Sequence, residues 1–187
     1  MAKRAGASCQ SNSDGMIRIV ITGPESTGKT ALAQKLAEAY DTVWVPEFAR
    51  TYVEKLGRPY DYDDVVVIAR HQIEQEERLA LQGNLKILFL DTWLILTKVW
   101  FDLVFEECPE WLIEKIKSSR VDLFLVCSTD IEWVADSVRE NGGARREELL
   151  KTYCQEIKSF GFNYELVSGL GEARLANALI ALKKHGF

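Results

Sequence analysis

Residues 16–37 read MIRIVITGPESTGKTALAQKLA. The stretch has three parts: an apolar run at 16–21 (MIRIVI), a glycine-containing loop at 23–30 (GPESTGKT), and a helical pattern at 31–37 (ALAQKLA). The loop fits G-x-x-x-x-G-K-[ST], and a strand before it with a helix after it is the context that a triphosphate cradle requires. Gly23 and Gly28 let the backbone curl so that N–H groups point inward at a phosphate. The helix that begins near Lys29 adds the positive end of its dipole at the same place. Lys29 is expected to reach the β- and γ-phosphates, and the Thr30 hydroxyl to ligate Mg²⁺. The expected ATP contacts are therefore Gly23, Pro24, Glu25, Ser26, Thr27, Gly28, Lys29 and Thr30, with Ala31 opening the helix.

The remaining composition bounds the function. A chain of 187 residues, 47% hydrophobic and 27% charged, suits one globular domain. A net charge of −5 without a basic stripe argues against a nucleic-acid partner. The longest apolar runs fall well short of the ~20 residues of a membrane span. Residues 1–15 (MAKRAGASCQSNSDG) lack the apolar core of a secretory signal and are expected to form a disordered N-terminal extension, leaving 16–187 as a single domain. Cys9, Cys108, Cys127 and Cys154 show no C-x-x-C spacing and read as small hydrophobes in a reducing, cytoplasmic setting. With only His71 and His185, a histidine-rich metal centre is excluded.

Five strand candidates (16–21, 42–45, 86–90, 121–127 and 163–167) alternate with helical stretches at 29–40, 47–57, 63–82, 92–107 with 109–118, 131–140 with 144–160, and 171–184. The alternation implies an α/β fold with a central parallel five-stranded sheet and helices on both faces. Ligands of such sheets bind beyond the carboxyl ends of the strands. At those ends, Asp91 closes the third strand, where Mg²⁺ needs a carboxylate near Thr30, although an acid there also suits a helix N-cap. Glu47 follows the second strand, placed to accept a proton from an acceptor hydroxyl, and Arg50 suits an anionic group. A Glu and an Arg decorating a helix's first turn fit the same spacing. On 63–82, Gln72 and Glu76 share the apolar face, so they are satisfied internally or line a pocket, whereas His71 points away. Gln72 is the candidate substrate contact. Trp93, two residues past Asp91, is placed either to stack on a planar ring or to fill the core. The run 137–146 (SVRENGGARR) has the composition of a helical lid whose arginines, Arg139 and Arg145 among them, close over a triphosphate; a solvated helix–turn–helix reads the same way. The turn Ser168-Gly169-Leu170-Gly171 before Arg174 suits backbone contact to a base or a plain turn.

Taken in order, Gly23 to Thr30, Pro46-Glu47-Phe48-Ala49-Arg50, Ile68-Ala69-x-x-Gln72, Asp91-Thr92 and Glu132-Trp133-Val134-Ala135-Asp136-x-x-Arg139 resemble the ribosylnicotinamide kinase domain of NadR-type NAD-biosynthesis proteins. That domain sits in the broader AAA-like P-loop ATPase family, and the resemblance covers nearly all of the chain after residue 15. It implies a P-loop NTPase fold and ATP-dependent phosphorylation of a nucleoside 5′-hydroxyl, with Glu47 and Arg50 at the nucleoside and Arg139 on the lid. The related kinase domains carry Asp-Thr-Asp where this chain has Asp91-Thr92-Trp93. Neither histidine belongs to an H-x-G-H motif, so adenylyl transfer is not expected. The expected activity is a Mg-ATP-dependent nucleoside kinase with a small nucleoside-like acceptor. The rival reading is a nucleotide-sensing ATPase module with no organic acceptor. A GTPase lacks the [NT]-K-x-D motif, and a homo-oligomer is compatible with the sequence.

Overall fold

The structure, a computed structural model, describes residues 15–81, 85–133 and 143–187. Arg139 and residues 1–14 of the expected extension lie outside the described residues. Five parallel strands, β1 (Ile17–Thr22), β2 (Trp44–Val45), β3 (Ile87–Asp91), β4 (Leu123–Cys127) and β5 (Tyr164–Val167), form one sheet in the order β2-β3-β1-β4-β5. The helices among the described residues are α1 (Lys29–Ala39), α2 (Phe48–Leu56), α3 (Tyr62–Ala80), α4 (Leu94–Phe105), α5 (Glu110–Ser118), α6 (Ala144–Ser159) and α7 (Glu172–Lys184). No helix among them is long and apolar enough to cross a membrane.

The continuous apolar strands follow from burial on both faces. Val20, Leu88, Leu90, Phe124 and Val126 point to one side, into a core shared with residues of α3, α4, α5 and α6. Ile19, Ile21, Ile87, Phe89, Leu123, Leu125 and Cys127 point to the other, under α1 and α7. Each of these large side chains contributes roughly 1.5–3 kcal/mol of transfer free energy by its burial. Because β1 lies between β3 and β4, its carboxyl end opens at the centre of the sheet, where the strand order reverses.

Three stretches differ from the sequence reading. The second strand shrinks to Trp44–Val45, because Asp41 turns with φ 49° and the Thr42 hydroxyl donates to the Ile87 carbonyl, so ladder pairing starts only at Trp44. The helix after Asp91 starts at Leu94 rather than at 92, since Thr92 sits at φ 66° and Trp93 is extended. Residues 131–133 are not helical, and 134–142 lie outside the described residues.

Gly23 has a steric reason to be glycine. Its φ is 136°, and a Cβ there would stand 2.7 Å from the Cys127 carbonyl oxygen of β4. Gly57, the C-cap of α2, has φ 68° but open space around it. Gly23→Ala should therefore cost about 3 kcal/mol or more, strain and overpacking together, whereas Gly57→Ala should cost about 1–2 kcal/mol. Urea unfolding of both variants checks this; equal costs would refute the close packing of Gly23 on β4.

Candidate active site

The loop from Gly23 to Lys29 joins β1 to α1, and Gly28 caps the helix in a left-handed conformation. Around this loop lies a cavity of about 1330 Å³, lined by Gly23, Glu25, Ser26, Thr27, Gly28, Lys29, Thr30 and Ala31. A single small-molecule site occupies roughly 300–1,000 Å³, so this cavity has room for more than one ligand. Lys29 Nζ donates to the Pro24 carbonyl at 3.0 Å, and the Thr27 hydroxyl donates to the same oxygen at 2.8 Å. The Thr30 hydroxyl donates to Asp91 Oδ2 at 2.5 Å, joining the start of α1 to the end of β3.

Asp91 is fully buried, and its Oδ1 has no hydrogen-bond partner among the described residues. Desolvation raises its pKa, against the lowering effects of the Thr30 hydrogen bond, the Lys29 charge and the Glu47 backbone N–H. It does not cap α4, whose N-cap is Trp93. An orphaned carboxylate oxygen beside a threonine hydroxyl fits Mg²⁺, which takes few protein oxygens and completes its shell with phosphate and water. No larger cluster of metal-ligating side chains occurs among the described residues.

Glu47, half-buried just past β2, faces the same cavity. Desolvation raises its pKa; Lys29 and Arg50 act against that, and Asp91 and Glu25 add to it. Arg50 lines the cavity on the first turn of α2 and pairs with Glu54 at 3.0 Å. Beyond Glu47 the wall turns apolar: Leu96, Val99, Trp100, Leu103 and Val104 of α4 meet Pro59 and Tyr60. Tyr60 stands edge-on to Trp100, ring centroids 4.9 Å apart. The loop carrying Tyr60 is held by Arg58, which donates to both oxygens of buried Asp64 at 2.6 and 3.0 Å. That pairing, with a Tyr52 hydroxyl bond at 2.9 Å, holds the Asp64 carboxyl well below the usual range. From α6, exposed Arg145 and buried Leu149 and Tyr153 complete the lining.

The structure thus brings the loop, Glu47, Arg50 and Arg145 around one cavity, with Asp91 adjoining it through Thr30. Two expected substrate contacts are not part of it. Trp93 is fully buried, edge-on to Phe124 and Phe162, and its indole N–H donates to Glu76 at 3.0 Å. Trp93 precedes the helix with an extended backbone, and of the two placements its sequence position allowed it takes the core one. Gln72 is also buried and donates to the Thr92 carbonyl at 2.9 Å and to its hydroxyl at 3.3 Å, bracing the left-handed turn after Asp91. His71 is half-buried rather than exposed, packed on Phe48 with centroids 3.7 Å apart. Sequence reasoning missed Trp100 and Tyr60 on the apolar wall and Tyr153. The stripe Leu96, Val99, Trp100, Leu103, at helical spacing, was the available signal for the first of these. Cysteine chemistry is not poised here: burial pushes the Cys108 and Cys127 thiols up to about 11.

A strand–loop–helix cradle at the centre of a parallel sheet defines a P-loop nucleotide-binding fold. The chain belongs to the AAA domain family, whose model matches residues 18–174. It is 27% identical over 146 residues to the trifunctional NAD biosynthesis/regulator protein NadR of Salmonella typhimurium, covering 74% of this chain and 35% of that protein. A crystal structure of a NadR protein in complex with NR superposes with a TM-score of 0.78 at 26% identity, over 91% of this chain and 51% of the other. Deoxyadenosine kinase from M. mycoides shares the fold, with a TM-score of 0.62 at 13% identity over 91% of this chain and all 100% of that one. The chain spans about a third of the Salmonella relative's length.

Trp93→Phe separates a core role from a ligand role. It removes the donor to half-buried Glu76, leaving Arg18 at 3.1 Å as the charged partner of that carboxylate. Stability should fall by about 1–3 kcal/mol with nucleotide affinity unchanged, measured by denaturant unfolding and titration. Loss of ligand binding at wild-type stability would contradict this assignment.

Proposed function

We propose that this chain is a Mg-ATP-dependent small-molecule kinase that phosphorylates the 5′-hydroxyl of ribosylnicotinamide or a related nucleoside. The observation that carries the reading is the second half of the cavity. An ATPase needs only the phosphate loop, yet here the space continues past Glu47 to the wall of Trp100, Tyr60 and Leu103. The likeness to NadR proteins, one of them solved with NR, supports the nucleoside.

In this reading the loop amides and Lys29 hold the triphosphate, and Lys29 leaves the Pro24 carbonyl to do so. Thr30 and Asp91 would hold Mg²⁺, which supplies charge neutralisation on the phosphate oxygens. The acceptor oxygen forms a bond to the γ-phosphorus, the bond from that phosphorus to the bridging oxygen breaks, and ADP leaves. The hydroxyl proton passes to the Glu47 carboxylate. A carboxyl whose pKa is raised by desolvation is a better proton acceptor than an ordinary one. Arg50 and Arg145 face the same space and suit the anionic oxygens. Arg139 would serve with them on the lid. The protein contributes mainly positioning and charge stabilisation.

Glu47→Gln tests the reading. It keeps the size of the side chain but cannot accept the proton, so nucleoside phosphorylation should fall by roughly 10²–10⁴-fold with ATP affinity nearly unchanged. The base must be ionised to act, so wild-type activity should be lost as the pH falls through a midpoint above the ordinary glutamate value of about 4.3. The variant should lack that acidic limb. A silent Glu47→Gln, with no nucleoside stimulating ADP release, would favour the nucleotide-sensing module instead.

A further inference from the structure

Two buried arginines stand behind the phosphate loop. Arg146, on the first turn of α6, is 5% exposed and donates to the carbonyls of Glu25 at 3.1 Å, Ser26 at 3.2 Å and Ile131 at 2.9 Å. Arg174, on α7, is 3% exposed and donates to the carbonyls of Thr27, of Gly169 at 2.8 Å and of Ser128 at 3.3 Å, and pairs with Asp130. The Pro24 carbonyl is held by Thr27 and Lys29. Four consecutive loop carbonyls, 24 to 27, therefore each accept a side-chain hydrogen bond.

In a trans peptide unit the C=O of one residue and the N–H of the next point in opposite directions. No peptide here is cis. Holding the carbonyls of Glu25, Ser26 and Thr27 toward the two arginines thus turns the N–H groups of Ser26, Thr27 and Gly28 the opposite way. That is the side on which a phosphate is bound. Ser26 needs such support, because it sits at φ 56°, a conformation that costs a non-glycine residue about 1–2 kcal/mol. A guanidinium suits this task, because its five donors in a rigid planar fork can serve two or three separated carbonyls at once in a fixed geometry. The same bonds tie the loop to the segments after β4 (Ser128, Asp130, Ile131) and after β5 (Gly169).

We propose that Arg146 and Arg174 are positioning residues that hold the phosphate loop in its nucleotide-accepting shape, and that the neighbouring Arg145 is the arginine of α6 that meets the triphosphate. Arg145 is exposed and lines the cavity, whereas Arg146 stands against the carbonyl side of the loop. The inference rests on nucleotide binding at this loop and not on the identity of the acceptor.

The test measures the affinities of ADP and ATP by calorimetry for Arg146→Ala, Arg146→Lys and Arg145→Ala, with kcat at saturating ATP. Arg146→Ala should weaken both nucleotides by about tenfold or more, since two loop carbonyls lose their donors, with kcat at saturation within about threefold of wild type. Added guanidinium should restore affinity, and Arg146→Lys, which keeps the charge but not the fork, should stay weak. Arg145→Ala should keep ADP affinity and lose kcat. Wild-type affinities with a collapsed kcat in Arg146→Ala would overturn the inference, because Arg146 would then act on the transferring phosphate. If Arg146→Ala does not fold, Arg146→Lys decides: ADP bound as tightly as in the wild type overturns the proposal. A wild-type protein that binds neither nucleotide overturns the site itself, while one that binds both and phosphorylates nothing refutes only the kinase reading.

Discussion

The site depends on one constraint: a peptide unit cannot turn its N–H inward without turning a carbonyl outward. A loop that offers amides to a phosphate must therefore find donors for its carbonyls elsewhere in the protein, or leave them to water. Thr27 supplies one from within the loop, and Arg146 and Arg174 supply others from helices more than a hundred residues away. Gly23 makes the entry to the loop possible by letting the chain press against the Cys127 backbone. Much of the tertiary structure acts as a mould for a few residues of main chain.

Sheet order distributes the remaining tasks. On one side of β1, β3 delivers Asp91 to Thr30, and beyond it β2 delivers Glu47. On the other side, the segments following β4 and β5 carry the carbonyls and the carboxylate that anchor Arg174. The apolar wall lies farther out, on α4 and on the loop between α2 and α3. An ion pair underlies that loop: Arg58 reaches from an exposed position to the buried Asp64 carboxylate, itself part of the box that caps α3. The cavity is thus built from a rigid centre and a separately braced outer wall.

Most of this fold was legible in the sequence because it rests on local signals. Apolar runs marked all five strands, and the loop motif fixed which strand stands at the phosphate. The errors lie where a nonlocal contact decides. Trp93 reads as the start of a helix until the left-handed Thr92, braced by Gln72 from α3, shows that the helix has not begun. Glu76 reads as a polar oddity on an apolar face until Trp93 and Arg18 are seen to satisfy it. The same holds for Arg146 and Arg174. Nothing in their sequence surroundings separates a guanidinium that binds phosphate from one that binds the loop, since the difference lies in which side of a distant peptide each reaches. That Glu47 and Arg50 border the cavity, by contrast, was readable, because a strand's end and a helix's first turn fix where such side chains point.

The central claim is that the γ-phosphoryl group of ATP goes to an organic hydroxyl beside Glu47. Isotope transfer tests it most directly. The protein is incubated with Mg²⁺, ribosylnicotinamide and ATP carrying ¹⁸O at its non-bridging γ-oxygens, and the products are followed by ³¹P NMR and mass spectrometry. The account predicts a 5′-phosphomonoester of the nucleoside whose non-bridging oxygens all carry the label, formed one for one with ADP. Label found only in inorganic phosphate, at a rate indifferent to any nucleoside supplied, would contradict it.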